Sequence, residues 1–399
     1  MLPLRPALRH YPWGSATTIP DLFGIPANGR PFAEAWLGAH PSAPARIVDA
    51  PPGTPSDLCA LIGTDPETQL GADVLARFGP GLPYLLKVIA AERPLSLQVH
   101  PDSRRALAGF RAEEAAGIPR DADERNYRDP NHKPELVLAV TRFEAMCGFR
   151  SPRRVIELLA GLDTPLTARL TDQLRAEPTA DGIRRVFREL FDPATRPAPE
   201  LVDEVARSCS ARLARSSPSP RADRTAVQLA EEYPGDPGVV VSLLLNPVTL
   251  QPGEAMFVPA GGVHAYLEGT ALEIMASSDN VLRAGLTTKH VDVAELLACV
   301  DYVAAPPVRI APEVFGEVTR VYYAPVDDFE LSMATLVGGA PEHLPGRGPR
   351  VLLCLDGQVE VVAADGRATL SRGQALFVGA HEGRLTVQGT GTLVQADVP

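Results

Sequence analysis

The sequence predicts a mainly β protein with a helical insert: two jelly-roll units and an α-helical domain. Three observations carry this. The stretch Leu95-Ser96-Leu97-Gln98-Val99-His100-Pro101-Asp102 alternates apolar and polar residues, as a half-buried strand does. Thr249–Ala260 (TLQPGEAMFVPA) is echoed by Thr369–Ala380 (TLSRGQALFVGA), a strand–glycine turn–strand unit at an offset of 120 residues. Short β units repeated in this way are the signature of a double-stranded β-helix, or jelly roll. Between Ser151 and about Pro234 the period changes to helical, with Ile183, Phe187 and Leu190 on one face and Leu201, Val205, Cys209 and Leu213 on another.

In chain order, residues 1–50 read as short extended pieces around Tyr11-Pro12-Trp13-Gly14-Ser15 and Glu34–Pro41. Both tryptophans read as packing under a sheet, and His40, before a proline, as structural. Residues 56–79 have helical spacing. Pro83–Ala91 reads as a buried strand interrupted by Lys87, and the short turn Glu92-Arg93-Pro94 suggests that it pairs antiparallel with the Gln98-Val99-His100 strand. Residues 103–130 read as a partly helical connection and 134–150 as strand. Ser151-Pro152 opens a helix, with proline at its first position. Val239–Leu245 reads as the return of β structure. The expected division is a first catalytic part over 1–150, the helical insert over 151–235, a second catalytic part over 236–310 and a C-terminal unit over 311–399.

With 399 residues, 45% hydrophobic and 22% charged, the chain can bury a sizeable core. A net charge of −11 without a basic run argues against nucleic acid or anionic lipid as partner. No apolar segment reaches the length of a membrane span, and five scattered cysteines without a CxxC pair fit free thiols in a reducing compartment. The expectation is a cytoplasmic, monomeric protein.

On a strand, Ser96, Gln98 and His100 share a face. An imidazole and an amide oxygen make half of a metal site, which a carboxylate at Glu135 and an imidazole at His264, just beyond a glycine-rich turn, would complete. This donor set suits Zn²⁺, with Fe²⁺ or Mn²⁺ possible. In the repeat, the position of His264 is Arg384 and no Gln-x-His occurs, so the C-terminal copy is expected to lack the ligands. Of 38 basic residues only Lys87, Lys133 and Lys289 are lysines, and all three lie in or beside these segments. Lysine retained in so arginine-rich a chain points to positions that need a compact charge or an adjustable proton carrier. After His264 the chain is rich in polar residues, including Glu273, Ser277, Ser278, Asp279, Asn280, Arg283, Lys289 and His290, and Arg283 followed by Lys289 in a Gly- and Thr-containing loop reads as an anion cradle.

Tyr11–Ser15, Glu34–Pro41, Leu82–Asp102, Asn131–Leu136, Pro259–Gly269 and Asp279–Asp292 together resemble the type I phosphomannose isomerases of the cupin superfamily. The resemblance covers most of the first 300 residues; Thr288 and Pro12 depart from it, and the helical block matches only loosely. It implies two cupin-like domains around a helical insert and one zinc on Gln98, His100, Glu135 and His264. It also implies aldose–ketose isomerisation of a sugar phosphate, mannose 6-phosphate to fructose 6-phosphate, through a cis-enediol. Arg283 matches a catalytic arginine, and Lys133 and Asp279 match positions for proton transfer and ring opening. Lys87 and Ser96 match the phosphate side, and Lys289 and Tyr266 line the pocket. Two other readings stay open on the residues: a cupin oxygenase with Fe²⁺ on His100, Glu135 and His264, and a non-catalytic sugar-binding cupin.

Overall fold

The computed structural model describes residues 1–49 and 51–399, and is mostly sheet. One sheet system runs in the order Val308–Ile310, Ala255–Val258, Glu135–Ala139, His264–Ala276, Tyr84–Ala91, Glu34–Gly38, Ala7–Arg9, all antiparallel. The 13-residue strand His264–Ala276 belongs to two layers. Its second half pairs with Tyr84–Ala91 and Glu135–Ala139, while its first half pairs with Phe143–Phe149 and Gln98–Val99. The crossing is at Gly269, at φ +115°, where a Cβ would sit 2.4 Å from the Arg142 carbonyl oxygen. Only glycine fits there. One strand can therefore send His264 and Tyr266 over the face that carries Glu273.

The outer face of the first layer, with Leu86, Val88, Leu136, Leu138, Leu272 and Ile274, packs against Tyr322, Leu331, Val351, Phe377 and Val394 of a ten-stranded second sheet system. Tyr84, fully buried, directs its hydroxyl to the Pro349 and Ala396 carbonyls across this boundary, at 2.9 and 3.0 Å. The strand Leu2–Arg5 pairs with Ala375–Val378 and so joins the C-terminal sheet rather than its sequence neighbours. The repeat seen in the sequence is realised in three dimensions. Ala255–Val258 and Ala375–Val378 are both four-residue strands, entered from Gly253 and Gly373 at φ +83° and +80°.

The helical block folds as expected over Pro152–Leu159, Pro165–Ala176, Ala180–Phe191, Pro199–Leu213 and Pro220–Glu232. Ser151 caps the first by accepting from the Arg154 N–H. Its apolar faces form one cluster with Leu97, Val99, Met146 and Val263, behind the second layer. Within it Asp223, fully buried, takes the Arg212 Nε at 2.9 Å, and Arg212 also donates to the Leu158 and Ala160 carbonyls.

Three local expectations are corrected. Residues 56–79 form three short helices, Leu58–Thr64, Pro66–Leu70 and Ala72–Phe78, because Asp65-Pro66 and Gly71 each end one and start the next. Val239–Leu245 is not strand: Gly238–Leu244 is a helix buried along its whole length, and the strand begins at Leu245. A short fully apolar run has no period to distinguish the two. Tyr84–Ala91 and Gln98–Val99 do not form a hairpin; they lie in different layers, each paired with a different half of His264–Ala276.

Removing Asp223 strands a buried guanidinium, so Asp223→Ala is expected to cost about 3–5 kcal/mol. Denaturant unfolding followed by helical circular dichroism checks this, and an unchanged midpoint contradicts it.

Candidate metal centre

Residues directly opposite one another in antiparallel strands share a face. The register Trp36–Lys87–Glu273–Val137 runs straight across the first layer, and Glu34 and Glu135 lie two residues along their strands on the same side. Across the second layer Gln98 lies opposite both His264 and Arg283. The two inward faces enclose an apolar floor that includes Ile89, Val137, Cys147, Met256 and Tyr266. Above it the polar residues meet.

His100, Glu135 and His264, all buried, bring ligand atoms within 4.8 Å of one another, the group of this kind found among the described residues. Each imidazole has its Nδ1 on a backbone carbonyl, His100 on Asn280 at 2.9 Å and His264 on Gly262 at 3.0 Å. A carbonyl only accepts, so each Nδ1 carries the proton and each Nε2 presents a lone pair. Those lone pairs face Glu135: His100 Nε2 is 3.0 Å from one carboxylate oxygen and His264 Nε2 is 3.4 Å from the other. The His100 Nε2 is buried without a hydrogen-bond donor. In these tautomers three electron-pair donors converge, an arrangement that a bound cation stabilises. Burial, with Lys133 beside it, pushes the His100 imidazole down to about 4, keeping it in the neutral, metal-binding form. Burial alone would raise the Glu135 carboxyl, but the Lys133 ammonium beside it holds it well below the usual carboxylate range.

A buried network extends from this carboxylate. Lys133 Nζ lies 3.1 Å from Glu135 Oε1. The Tyr266 hydroxyl is 3.0 Å from both Glu135 Oε2 and Glu273 Oε1. One hydroxyl proton serves two carboxylates, and burial together with Glu135 raises the Glu273 carboxyl. Glu273 in turn takes Lys87 Nζ at 2.9 Å, and its charge with those of Glu34 and Glu135 overcomes the burial that would lower the Lys87 ammonium. Two of the three lysines are thus buried against carboxylates of the site. The third, Lys289, is exposed at the rim.

Of the other expected residues, Gln98 and Ser96 are half-buried on the strand side leading to His100, and Arg283 is half-buried opposite Gln98. Asp279 stands aside from the ligands: its carboxylate lies 3.6 Å from the His40 Nε2. The Ser42 backbone N–H donates to His40 Nδ1, so the proton on Nε2 points at Asp279.

Sequence reasoning assigned no role to Asn280 or Glu34. Asn280 is fully buried; its backbone carbonyl orients His100, while its side chain binds the Asp129 and Asn131 carbonyls at 2.8 Å and the Arg128 N–H at 2.8 Å. Glu34 accepts the Trp36 indole N–H at 2.6 Å. A buried asparagine joining two loops leaves no periodic trace in a sequence; a glutamate two residues before a tryptophan in an apolar strand does.

Comparison with known proteins supplies the family. Residues 1–152 match the model for the phosphomannose isomerase type I catalytic domain, and residues 319–398 that for the mannose-6-phosphate isomerase cupin domain. Over 395 residues the chain is 39% identical to mannose-6-phosphate isomerase of Escherichia coli K12, covering 98% of this chain and 97% of that one. It is 32% identical to mannose-6-phosphate isomerase 1 of Arabidopsis thaliana, over 94% of this chain and 88% of that one. Among solved structures, mannose 6-phosphate isomerase from Salmonella typhimurium bound to fructose 6-phosphate and zinc superposes with a TM-score of 0.89. It shares 38% identity, over 100% of this chain and 99% of that one.

His264→Ala removes one of three buried donors, so metal affinity is expected to fall at least tenfold, roughly the least that metal-site substitutions cost. Elemental analysis of the purified variant checks this, and an unchanged metal content contradicts it. The geometry of the ligands and the similarity over nearly the whole length agree, and the chain belongs to the type I mannose-6-phosphate isomerase family.

Proposed function

We propose that this protein interconverts D-mannose 6-phosphate and D-fructose 6-phosphate on a single zinc ion held by Gln98, His100, Glu135 and His264. The observation that carries the reading is the carboxylate of Glu135 set between two imidazole lone pairs, with the His100 Nε2 left without a donor. The relatives' names and the zinc and fructose 6-phosphate in the Salmonella structure support it.

The reaction removes the proton from C2 of the open-chain aldose and returns it to C1 while a hydroxyl proton moves between the two oxygens. A positioned acid–base group must carry the proton, and charge must be stabilised on oxygen as it develops. Zinc, when bound, supplies a Lewis acid for that charge. Arg283, opposite Gln98 and without a carboxylate partner among the described residues, adds a fixed cation on the same side. Lys133 and Asp279 are assigned to proton transfer and ring opening from the family positions they match; Lys133 lies on Glu135 and Asp279 beside His40. Lys87, Ser96, Tyr266 and Lys289 line the substrate side. Lys87 and Tyr266 act from within the buried network, holding Glu273 and Glu135 in place, and Lys289 acts from the rim.

The fold is read as two cupin-like jelly rolls, the first built from residues 1–150 and 236–310 with a helical domain over 151–235 inserted in it, the second from 311–399. The C-terminal copy is read as structural, because Arg384 stands where the first has His264. No described helix is long and apolar enough to cross a membrane. A monomer in the cytoplasm, serving mannose metabolism and the supply of GDP-mannose, remains the reading.

Conversion of mannose 6-phosphate to fructose 6-phosphate is expected to stop on chelation and return with zinc. A folded, zinc-loaded protein without turnover contradicts the reading. Arg283→Ala is expected to keep its metal and lose about 10²–10³ in kcat, the usual cost of one preorganised charge-stabilising donor. Steady-state kinetics with elemental analysis decide it, and loss of metal or full activity contradicts the assignment.

A further inference from the structure

Cations and aromatic rings alternate from the floor of the pocket to its rim. The Lys87 ammonium lies 5.1 Å from the Trp36 ring centre, and the Arg9 guanidinium 5.0 Å from the same ring and 5.7 Å from that of Tyr11. The Lys289 ammonium lies 5.6 Å from the Tyr11 ring centre. Cations stack on such faces at modest gain, and the rings fix where the charges sit. Lys87 ends on Glu273. Arg9 ends on no acid.

That is unexpected from the register. Glu34 lies directly opposite Arg9 in the strand pair, the position from which a cross-strand ion pair forms. Its carboxylate accepts the Trp36 indole N–H instead, and among the described residues no carboxylate oxygen lies within 4.0 Å of the Arg9 guanidinium. The Tyr11 hydroxyl takes Arg9 Nε and Nη2, at 3.3 and 3.2 Å, which leaves Nη1 and the second Nη2 proton without a partner. Arg9 is half-buried, so the group is held rather than free in solvent.

Arg9 is also not alone. Arg128, Arg283 and Lys289 have no ion pair among the described residues, and they are close enough to act on one another. Burial with Arg128 lowers the Arg283 guanidinium, and burial with Arg283, Arg128 and Arg9 lowers the Lys289 ammonium, with Asp123 the one acid opposing both. The Arg128 backbone is fixed by the Asn280 side chain, the residue whose carbonyl orients His100. In a chain of net charge −11, four neighbouring cations opposed by the single acid Asp123 are a local inversion of sign. A dianion compensates them, and the planar fork of Arg9 is shaped for phosphate oxygens.

We infer that Arg9, held between Trp36 and Tyr11, is a further phosphate-binding residue of the substrate pocket. The inference rests on the isomerase reading for its substrate, and it separates the work of the cations: Arg283 lies opposite Gln98, while Arg9 and Lys289, both against the Tyr11 ring, meet the phosphate.

The test compares Arg9→Ala, Arg9→Lys and, as a control for net charge, Arg5→Ala, an exposed arginine on the strand that pairs with the C-terminal sheet. Arg9→Ala is expected to raise KM for mannose 6-phosphate and the inhibition constant of inorganic phosphate together, each about tenfold, as loss of one charge-assisted contact does. Zinc content, melting temperature and kcat should stay near wild type. Arg9→Lys should recover part of the loss, and Arg5→Ala should show none. Unchanged constants in Arg9→Ala, or an equal rise in Arg5→Ala, overturn the inference. Should Arg9→Ala fail to fold, Arg9→Gln carries the same comparison. Calorimetric binding of inorganic phosphate to the zinc-loaded protein keeps the two proposals distinct. Phosphate binding that Arg9→Ala weakens upholds the role of Arg9 even if wild type does not turn over mannose 6-phosphate, whereas turnover with phosphate binding insensitive to Arg9 overturns it alone.

Discussion

A carboxylate buried against two imidazole lone pairs is costly in the absence of a cation, and the surrounding structure is arranged to hold it there. Glu135 comes from one layer, His100 and His264 from the other, so the donors meet only because the layers are held in register. Gly269 permits a single strand to serve both, and the Asn280 and Gly262 carbonyls fix which nitrogen of each ring faces the centre. Each histidine is thereby turned to present Nε2 to the centre before any ion arrives. Preorganisation of this kind moves the cost of orienting ligands from binding to folding, and the packed layers on either side meet it. The first layer rests on the C-terminal sheet, the second on the helices.

Charge is sorted by depth. Two lysines are buried on Glu135 and Glu273, Lys87 with its ammonium over the Trp36 ring. Arginines take the rim, where a planar fork can face an incoming anion. The network from Glu135 through Tyr266, Glu273, Lys87 and Trp36 to Arg9 and Tyr11 links the ligand shell to the mouth of the pocket by direct contact at every step. Substitution along this line therefore acts on neighbours as well as on the residue changed, and single variants in it will not add.

Much of this was legible in the sequence. The alternation around His100, the placement of Glu135 at the start of an apolar strand and the glycine turn before His264 pointed to three residues whose donor atoms the fold brings within 4.8 Å of one another. The scarcity of lysine singled out Lys87 and Lys133, both now seen on site carboxylates. What remained hidden has physical reasons. Pairing partners are set by tertiary register, so the hairpin expected between Tyr84–Ala91 and Gln98–Val99 is replaced by pairing of each with one long strand. Gly238–Leu244 is apolar throughout, and a wholly buried helix has the same pattern as a buried strand. Leu2–Arg5 joins a sheet more than 370 residues away in the chain, a contact no local pattern encodes. The role of Arg9 depends on Glu34 binding Trp36 instead of its cross-strand neighbour, which only the side-chain geometry reveals.

The central claim is that the ion replaces the contacts now made among Glu135, His100 and His264. Anomalous diffraction from crystals of the zinc-loaded protein tests it most directly. The account predicts one peak bonded to both Nε2 atoms and a Glu135 oxygen at about 2.0–2.2 Å, the usual zinc–nitrogen and zinc–oxygen lengths, with both Nδ1 atoms still on their backbone carbonyls. A peak elsewhere, or coordination through Nδ1 of either histidine, contradicts it.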